Sequence, residues 1–207
     1  MSLTYESGLF FTLTLTAVSL GIFAWSRRHT TNALNTTWFM LNIALWMLAL
    51  GMGLQSPTLS TKLLWARVQI LAQVNIPALV FILTLTHTEQ KTRLTTLSHV
   101  GLALMSVLTL SVAIFKLPWI IYPKPGSVVA TGAPLDLEYG GWFWMLQLYA
   151  YLLFIYSAFV LFMYIWRSPR PYREQTTSLL FALLIPASGN LLNIFNLVSI
   201  DITPFAT

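Results

Sequence analysis

The chain has 207 residues, 57% of them apolar and only 8% charged. That excludes a water-soluble globular fold, which carries nearer to about 25% charged residues. Its net charge of +5 is divided among separate gaps and forms no single basic face, so a nucleic-acid surface is excluded too. With no cysteine there is no disulfide framework, thiol nucleophile or thiolate metal site.

Six apolar stretches follow one another, and nearly all charge lies between them. As a helix rising about 1.5 Å per residue, each is long enough to cross roughly 30 Å of hydrocarbon. The first is Leu9–Trp25, with Glu6 before it and Arg27 and Arg28 after it. A cleavable signal peptide would carry its positive charge first, so this stretch reads as an uncleaved helix inserted with its N-terminus outside. The second is Thr36–Leu54. Asn35-Thr36-Thr37 at its start matches the glycosylation pattern, but falls on the side assigned below to the cytoplasm and reads as chance.

The third stretch, Leu63–Thr86, holds Arg67, Gln69, Gln73 and Asn75, then Pro77. Gln69 and Gln73 are four apart and share a face, whereas Arg67 and Asn75 lie on another arc. A helix polar on more than one side belongs in the middle of a bundle. Arg67 is one turn from the outer end. It reads either as a snorkelling cation reaching the headgroups or as an anchor for an anionic ligand.

The fourth stretch is Leu97–Phe115. The gap that follows, Lys116–Gly141, has four prolines and four glycines together with Trp119, Tyr122 and Tyr139. A gap of this length reads as a lid over an outward-facing cavity or as a plain connector. The fifth stretch is Trp142–Trp166 and the sixth Leu179–Ile200. In the sixth, Asn190, Asn193 and Asn196 recur at steps of three and make a slanting polar ridge. Pro186 ahead of them releases the carbonyl of Ala182 from its helical bond. Such groups either glue helices together or line a cavity. At the end of the chain, Asp201-Ile-Thr-Pro-Phe-Ala-Thr207 carries a Thr-Pro helix-start signature with an acidic residue before it. It reads as the first turn of a seventh helix, which would make the chain a piece of a longer protein; a frayed tail is the alternative.

Lys and Arg alternate from gap to gap. Seven lie after the first, third and fifth stretches, and three (Lys62, Lys116 and Lys124) lie on the opposite side. The positive-inside rule puts the basic gaps in the cytoplasm and the N-terminus outside, and six crossings return the end of the chain to the outside. Seven of the eight tryptophans fall near the ends of stretches, as the interfacial preference of indole requires; only Trp46 is mid-span.

No stretch contains Asp or Glu, which argues against a proton relay or a carboxylate-built cation path. The three histidines, His29, His87 and His99, show no convergent pair for a metal or haem. There is no phosphate-binding glycine loop, no HExxH and no Ser/His/Asp set at one depth. No catalytic residue, metal or cofactor is therefore expected. Nor is there an internal repeat of the kind that favours a transporter.

Three pieces carry a family likeness: Tyr139-Gly-Gly-Trp-Phe-Trp144 leading to Tyr149-Ala-Tyr151, the basic gap with Arg173 before the sixth stretch, and Pro186 with Asn190 followed by Asp201-Ile-Thr-Pro204. In this order the chain resembles the seven-transmembrane N-terminal sensor region of bacterial histidine kinases. The resemblance implies an all-α integral membrane protein, one sensor domain over 1–207, with six transmembrane helices and the start of a seventh. It implies an input module in the inner (plasma) membrane that senses an extracellular or membrane signal. The signal would pass to a cytoplasmic kinase or cyclase that this chain lacks, so the chain itself is expected not to be an enzyme.

The expected partners are the lipid bilayer and a small or lipidic signal, with homodimerisation through the parent protein compatible with that reading. The expected site is an outward cavity between the third, fifth and sixth helices, with Arg67, Gln73, Asn190 and Asn193 as polar contacts. A transporter or channel subunit, and a structural partner of another membrane protein, are the rival readings. The largely apolar first, second and fourth stretches count against a continuous polar path.

Overall fold

The structure is a computed structural model that describes residues 5–30, 32–88, 90, 96–115, 117–123, 131–133 and 137–194. Six helices follow in chain order: α1 (Tyr5–Ser26), α2 (Ala33–Gln55), α3 (Leu59–His87), α4 (Thr96–Phe115), α5 (Gly141–Arg167) and α6 (Arg170–Ile194). The first five each contain their expected apolar stretch, and α6 contains the sixth as far as Ile194; residues 195–200 lie outside the described residues. That helix begins nine residues before the apolar run, because its polar first turns, 170–178, can still be helical. The expected seventh-helix start at Asp201–Thr207 lies outside the described residues.

Between α4 and α5 a 3-10 turn (Leu117–Trp119) leads into an antiparallel hairpin, β1 (Ile121–Pro123) paired with β2 (Leu137–Tyr139). The all-α class holds, with this short hairpin added in the gap between α4 and α5. Strands of three residues are too short to show a periodic pattern in sequence. Tyr122 sits opposite Glu138 in the register. The Glu138 carboxylate accepts from the Tyr122 hydroxyl and, with its charge, holds the phenol proton above its ordinary range.

α1 packs along α2, α2 along α3, α3 against α4 and α5, and α5 against α6. The polar, many-sided α3 is therefore central. What is buried is mostly small or hydroxyl-bearing: Ala17, Ala44, Ala72, Ala113, Thr109, Ser157 and Thr176 lie at helix contacts. What is exposed is large and apolar, including Leu15, Phe23, Val107, Leu152, Ile155 and Phe159. In water that distribution would be unstable; in lipid, where close approach of backbones drives association, it is the expected one. The hydroxyls that do face outward on α1 are satisfied locally. Thr12, Thr16 and Ser19 each donate to the carbonyl four residues back, at 2.8–3.0 Å. Helices α1, α2, α3 and α5 are each long and apolar enough to cross a membrane, and α4 adds a shorter apolar run, Val100–Phe115.

Two apolar clusters organise the interior. One joins α1, α2 and α3 around Phe10, Ile43, Met47 and Leu54. The other seats the hairpin on the bundle: Ile120 and Ile121 bury against Ile70 of α3 and Ala113 of α4. The hairpin segment is also latched to the turn between α2 and α3. Lys62, only 5% exposed, donates from Nζ to the carbonyls of Ala133 at 2.7 Å and Gly53 at 3.3 Å. Gly132 N donates to Leu54 O at 2.7 Å, from a left-handed backbone (φ 83°) that glycine adopts without strain. At the opposite end of the bundle, His87 Nε2 pairs with Thr176 Oγ1 at 3.1 Å, joining α3 to α6. There Arg173 Nε donates to Ser168 O at 3.0 Å, beyond the C-terminus of α5.

Candidate functional site

On α3, positions 66, 69, 70, 73, 74 and 77 recur at helical spacing and so share one face. On α5, positions 143, 146, 147, 150 and 154 do the same. These two faces, with Pro186, Ala187 and Asn190 of α6, enclose a cavity of about 230 Å³. Trp46 of α2 reaches its wall from behind α3, and Ile120, Ile121, Leu137 and Tyr139 of the hairpin segment close one end.

The closing end is built by the motif Tyr139-Gly-Gly-Trp-Phe-Trp144. Tyr139 stacks on Phe143 with ring centres 4.0 Å apart and planes 11° from parallel. Trp144 meets both rings edge-on. Trp142 points its Nε1 at Thr109 Oγ1 of α4, 3.4 Å away. Gly140 donates its N–H to Ile120 O at 2.7 Å and lies so close to the backbone of Pro118 and Trp119 that no Cβ fits.

The wall is largely aromatic and aliphatic, with Gln69, Gln73, Gln147, Tyr149 and Asn190 supplying polarity. No lining residue carries a charge. Asn190 is held by Tyr151, whose hydroxyl donates to Asn190 Oδ1 at 2.9 Å with the Ala187 carbonyl oxygen at 3.2 Å sharing the proton. This bond ties α5 to α6 one turn after Pro186. Two of the lining residues carry an inaccessible group with no protein partner among the described residues: Trp46 Nε1 and the Tyr149 hydroxyl. The two helix-interior prolines, Pro77 and Pro186, also line the cavity. Each lacks the N–H that would hold the carbonyl four residues back, Gln73 O and Ala182 O. The two helices are thus weakest where they face the space.

A second, more open space of about 340 Å³ lies between α2, α3 and α4. There Asn42 Nδ2 donates to Trp38 O, Asn75 Nδ2 to Leu71 O, and Ser106 Oγ to Asn75 Oδ1.

Of the four residues expected from sequence, Gln73 and Asn190 meet at the first cavity. Arg67 does not: it is exposed and off the wall. At about 100° per residue it lies about 200° from Gln69 and at the edge of the lining face, about 20° from Val74 seven residues on. That placement suits the snorkelling reading and removes a fixed positive charge from the cavity. The side chain of Asn193 lies outside the described residues. Sequence reasoning passed over Trp46, Tyr149, Tyr151 and Gln147 as site residues. Trp46 had a visible signal, being the one tryptophan away from the interfaces. Tyr151 and Gln147 share one α5 face at a spacing of four, but a span of apolar residues all round gives no clue to which face is inward.

Among the described residues no cluster of His, Asp or Glu could hold a metal ion. A family model described as the N-terminal 7TM region of histidine kinase matches residues 9–207. No curated protein matches the chain.

Proposed function

The chain belongs to the family of N-terminal seven-transmembrane regions of histidine kinases, and from that membership we propose that it is the membrane-embedded input module of a signal-transduction protein. All six helices cross the bilayer, and the N-terminus and hairpin face outward. The signal is a molecule that enters the cavity under the hairpin. It alters the packing of α3 and α6 at Pro77 and Pro186, and the shift passes to a cytoplasmic kinase or cyclase in the rest of the parent protein. Gln73 and Asn190 are contacts for it, with Tyr151 holding Asn190 in place. The carrying observation is that both proline-weakened helices present their weak points to one cavity.

Orientation is testable directly, because the chain has no cysteine of its own. A Thr131→Cys variant is expected to react with an impermeant maleimide in intact spheroplasts, and Thr30→Cys only after permeabilisation. The reverse pattern would invert the proposed topology.

Signalling through the cavity is tested by filling it. With a kinase core joined downstream, Ala150→Phe is expected to change basal autophosphorylation by roughly fivefold or more, the lower end of ordinary allosteric coupling. Leu148→Phe, on the exposed face of the same helix, is the control and is expected to leave it unchanged. If both variants expressed as folded protein and gave the same output, the cavity would have no part in signalling.

A further inference from the structure

Resting on the reading of this cavity as the signal site, we infer that its ligand is a small, uncharged molecule with an apolar body and a polar group that both donates and accepts hydrogen bonds, such as a carboxamide or alcohol. Charge is the first constraint. Among the described residues no lining side chain is ionised, and Arg67 lies exposed and off the wall. An ion entering would lose its hydration with no opposite charge to replace it. Size is the second. The cavity holds about 230 Å³, below the roughly 300–1,000 Å³ of drug-sized pockets.

The amides on the wall supply the third. Gln69 and Gln73 of α3 and Gln147 of α5 are half-buried and line the space. None of the three makes a side-chain hydrogen bond among the described residues, and none of their amide atoms is sealed from access. Trp46 Nε1 and the Tyr149 hydroxyl are sealed, and so take no part in recognition. Each glutamine presents two N–H donors and one carbonyl acceptor. Asn190 adds its Nδ2 group, since its Oδ1 is held by Tyr151. A ligand group that displaces water from such amides loses affinity unless it reproduces the bonds that water made, and water both donates and accepts. A ligand that only accepts strands the glutamine carbonyls. One that only donates strands their N–H groups, and a hydrocarbon strands both. A group with both roles serves either end of an amide. Phe143, Leu146 and Phe154 of α5 supply apolar walls for the remainder.

The test uses the full chain in lipid nanodiscs and three ring molecules of similar size: benzamide, acetophenone and benzoate. Affinities are read from ligand saturation-transfer NMR, with empty nanodiscs as the background. Benzamide is expected to bind saturably. Acetophenone, which shares its ring and carbonyl but cannot donate, should bind roughly fivefold more weakly, about the worth of one hydrogen bond, and benzoate not at all. Ala150→Phe, which fills the cavity, should abolish benzamide binding, whereas Leu148→Phe on the exposed face should keep it. Gln73→Leu and Gln147→Leu each remove one amide at similar volume. Both should weaken benzamide more than acetophenone and so narrow the preference. Acetophenone or benzoate binding as tightly as benzamide, benzamide binding that survives Ala150→Phe, a preference unchanged in both leucine variants, or no saturable benzamide binding would each overturn the inference. The ranking on the unsubstituted chain decides even where a variant fails to fold. Should the inference fall while Ala150→Phe still alters kinase output, the ligand chemistry goes and the sensor reading stands. Benzamide binding that is lost in Ala150→Phe, with kinase output unchanged, would uphold the ligand chemistry and remove the signalling role.

Discussion

Gly140→Ala is expected to lower the stability of the bundle by about 1–3 kcal/mol, and to loosen the hairpin from the mouth of the cavity. The added methyl would fall against the backbone of Pro118 and Trp119, which cannot swing away as a side chain can. Relief requires the 3-10 turn to move off α5, stretching the 2.7 Å bond from Gly140 N to Ile120 O. Ile120 and Ile121 would leave their buried seat on α3 and α4. The neighbouring glycine gives an internal control. A Cβ on Gly141 meets nothing within 4 Å, and Gly141 is the first residue of α5. Gly141→Ala is therefore expected to be neutral or to stabilise by up to about 1 kcal/mol, through lower unfolded-chain entropy. Thermal melts followed by fluorescence-detected size exclusion distinguish the two. Equal effects of the two alanines would mean that the hairpin does not sit against α5 as described.

The second large effect sets two tyrosines, one residue apart from being neighbours, against each other. Tyr151→Phe removes the donor that holds Asn190 Oδ1 and shares its proton with Ala187 O. A part-buried acceptor is left unmet, and a loss of about 1–3 kcal/mol is expected. Tyr149→Phe removes a buried hydroxyl that has no protein partner among the described residues. It should be neutral or stabilising, since deleting an unmet polar group removes its desolvation penalty. The same atom is deleted in each case, so volume and hydropathy changes cancel in the comparison. Melting temperatures of the two variants, measured together, give the sign. If Tyr149→Phe were the more damaging, its hydroxyl would be structurally bonded. In the kinase fusion, Tyr151→Phe also frees α6 next to Pro186 and is expected to shift basal output, whereas the hairpin variants act on access.

Much of the bundle was legible in the residues. The six helices follow from six runs of apolar residues, because lipid leaves backbone groups no partner except their own helix. The central place of α3 followed from Gln69, Gln73 and Asn75, which lie on different arcs and cannot all be hidden by one neighbour. Gln73 and Asn190 were both singled out, since amides at mid-span have to face protein. Arg67, singled out with them, lies exposed at the edge of that face and off the wall.

The hairpin was not legible. Ile121-Tyr-Pro123 and Leu137-Glu-Tyr139 are three residues each, and they pair only because the Gly140 backbone can approach Trp119 and because Ile121 finds a seat on Ile70. Trp46 stood out in sequence only as misplaced; that it reaches a cavity wall, with its N–H buried and unpaired among the described residues, depends on how α2 crosses α3. Composition and periodicity by themselves determined that this chain is a set of lipid-compatible helices with polar spots at known depths, since burial of the backbone and placement of charge are local demands. Which polar spots converge, which donors remain open and what covers them were decided only by tertiary packing, because a helix apolar on every side carries no record of the face its neighbours will choose.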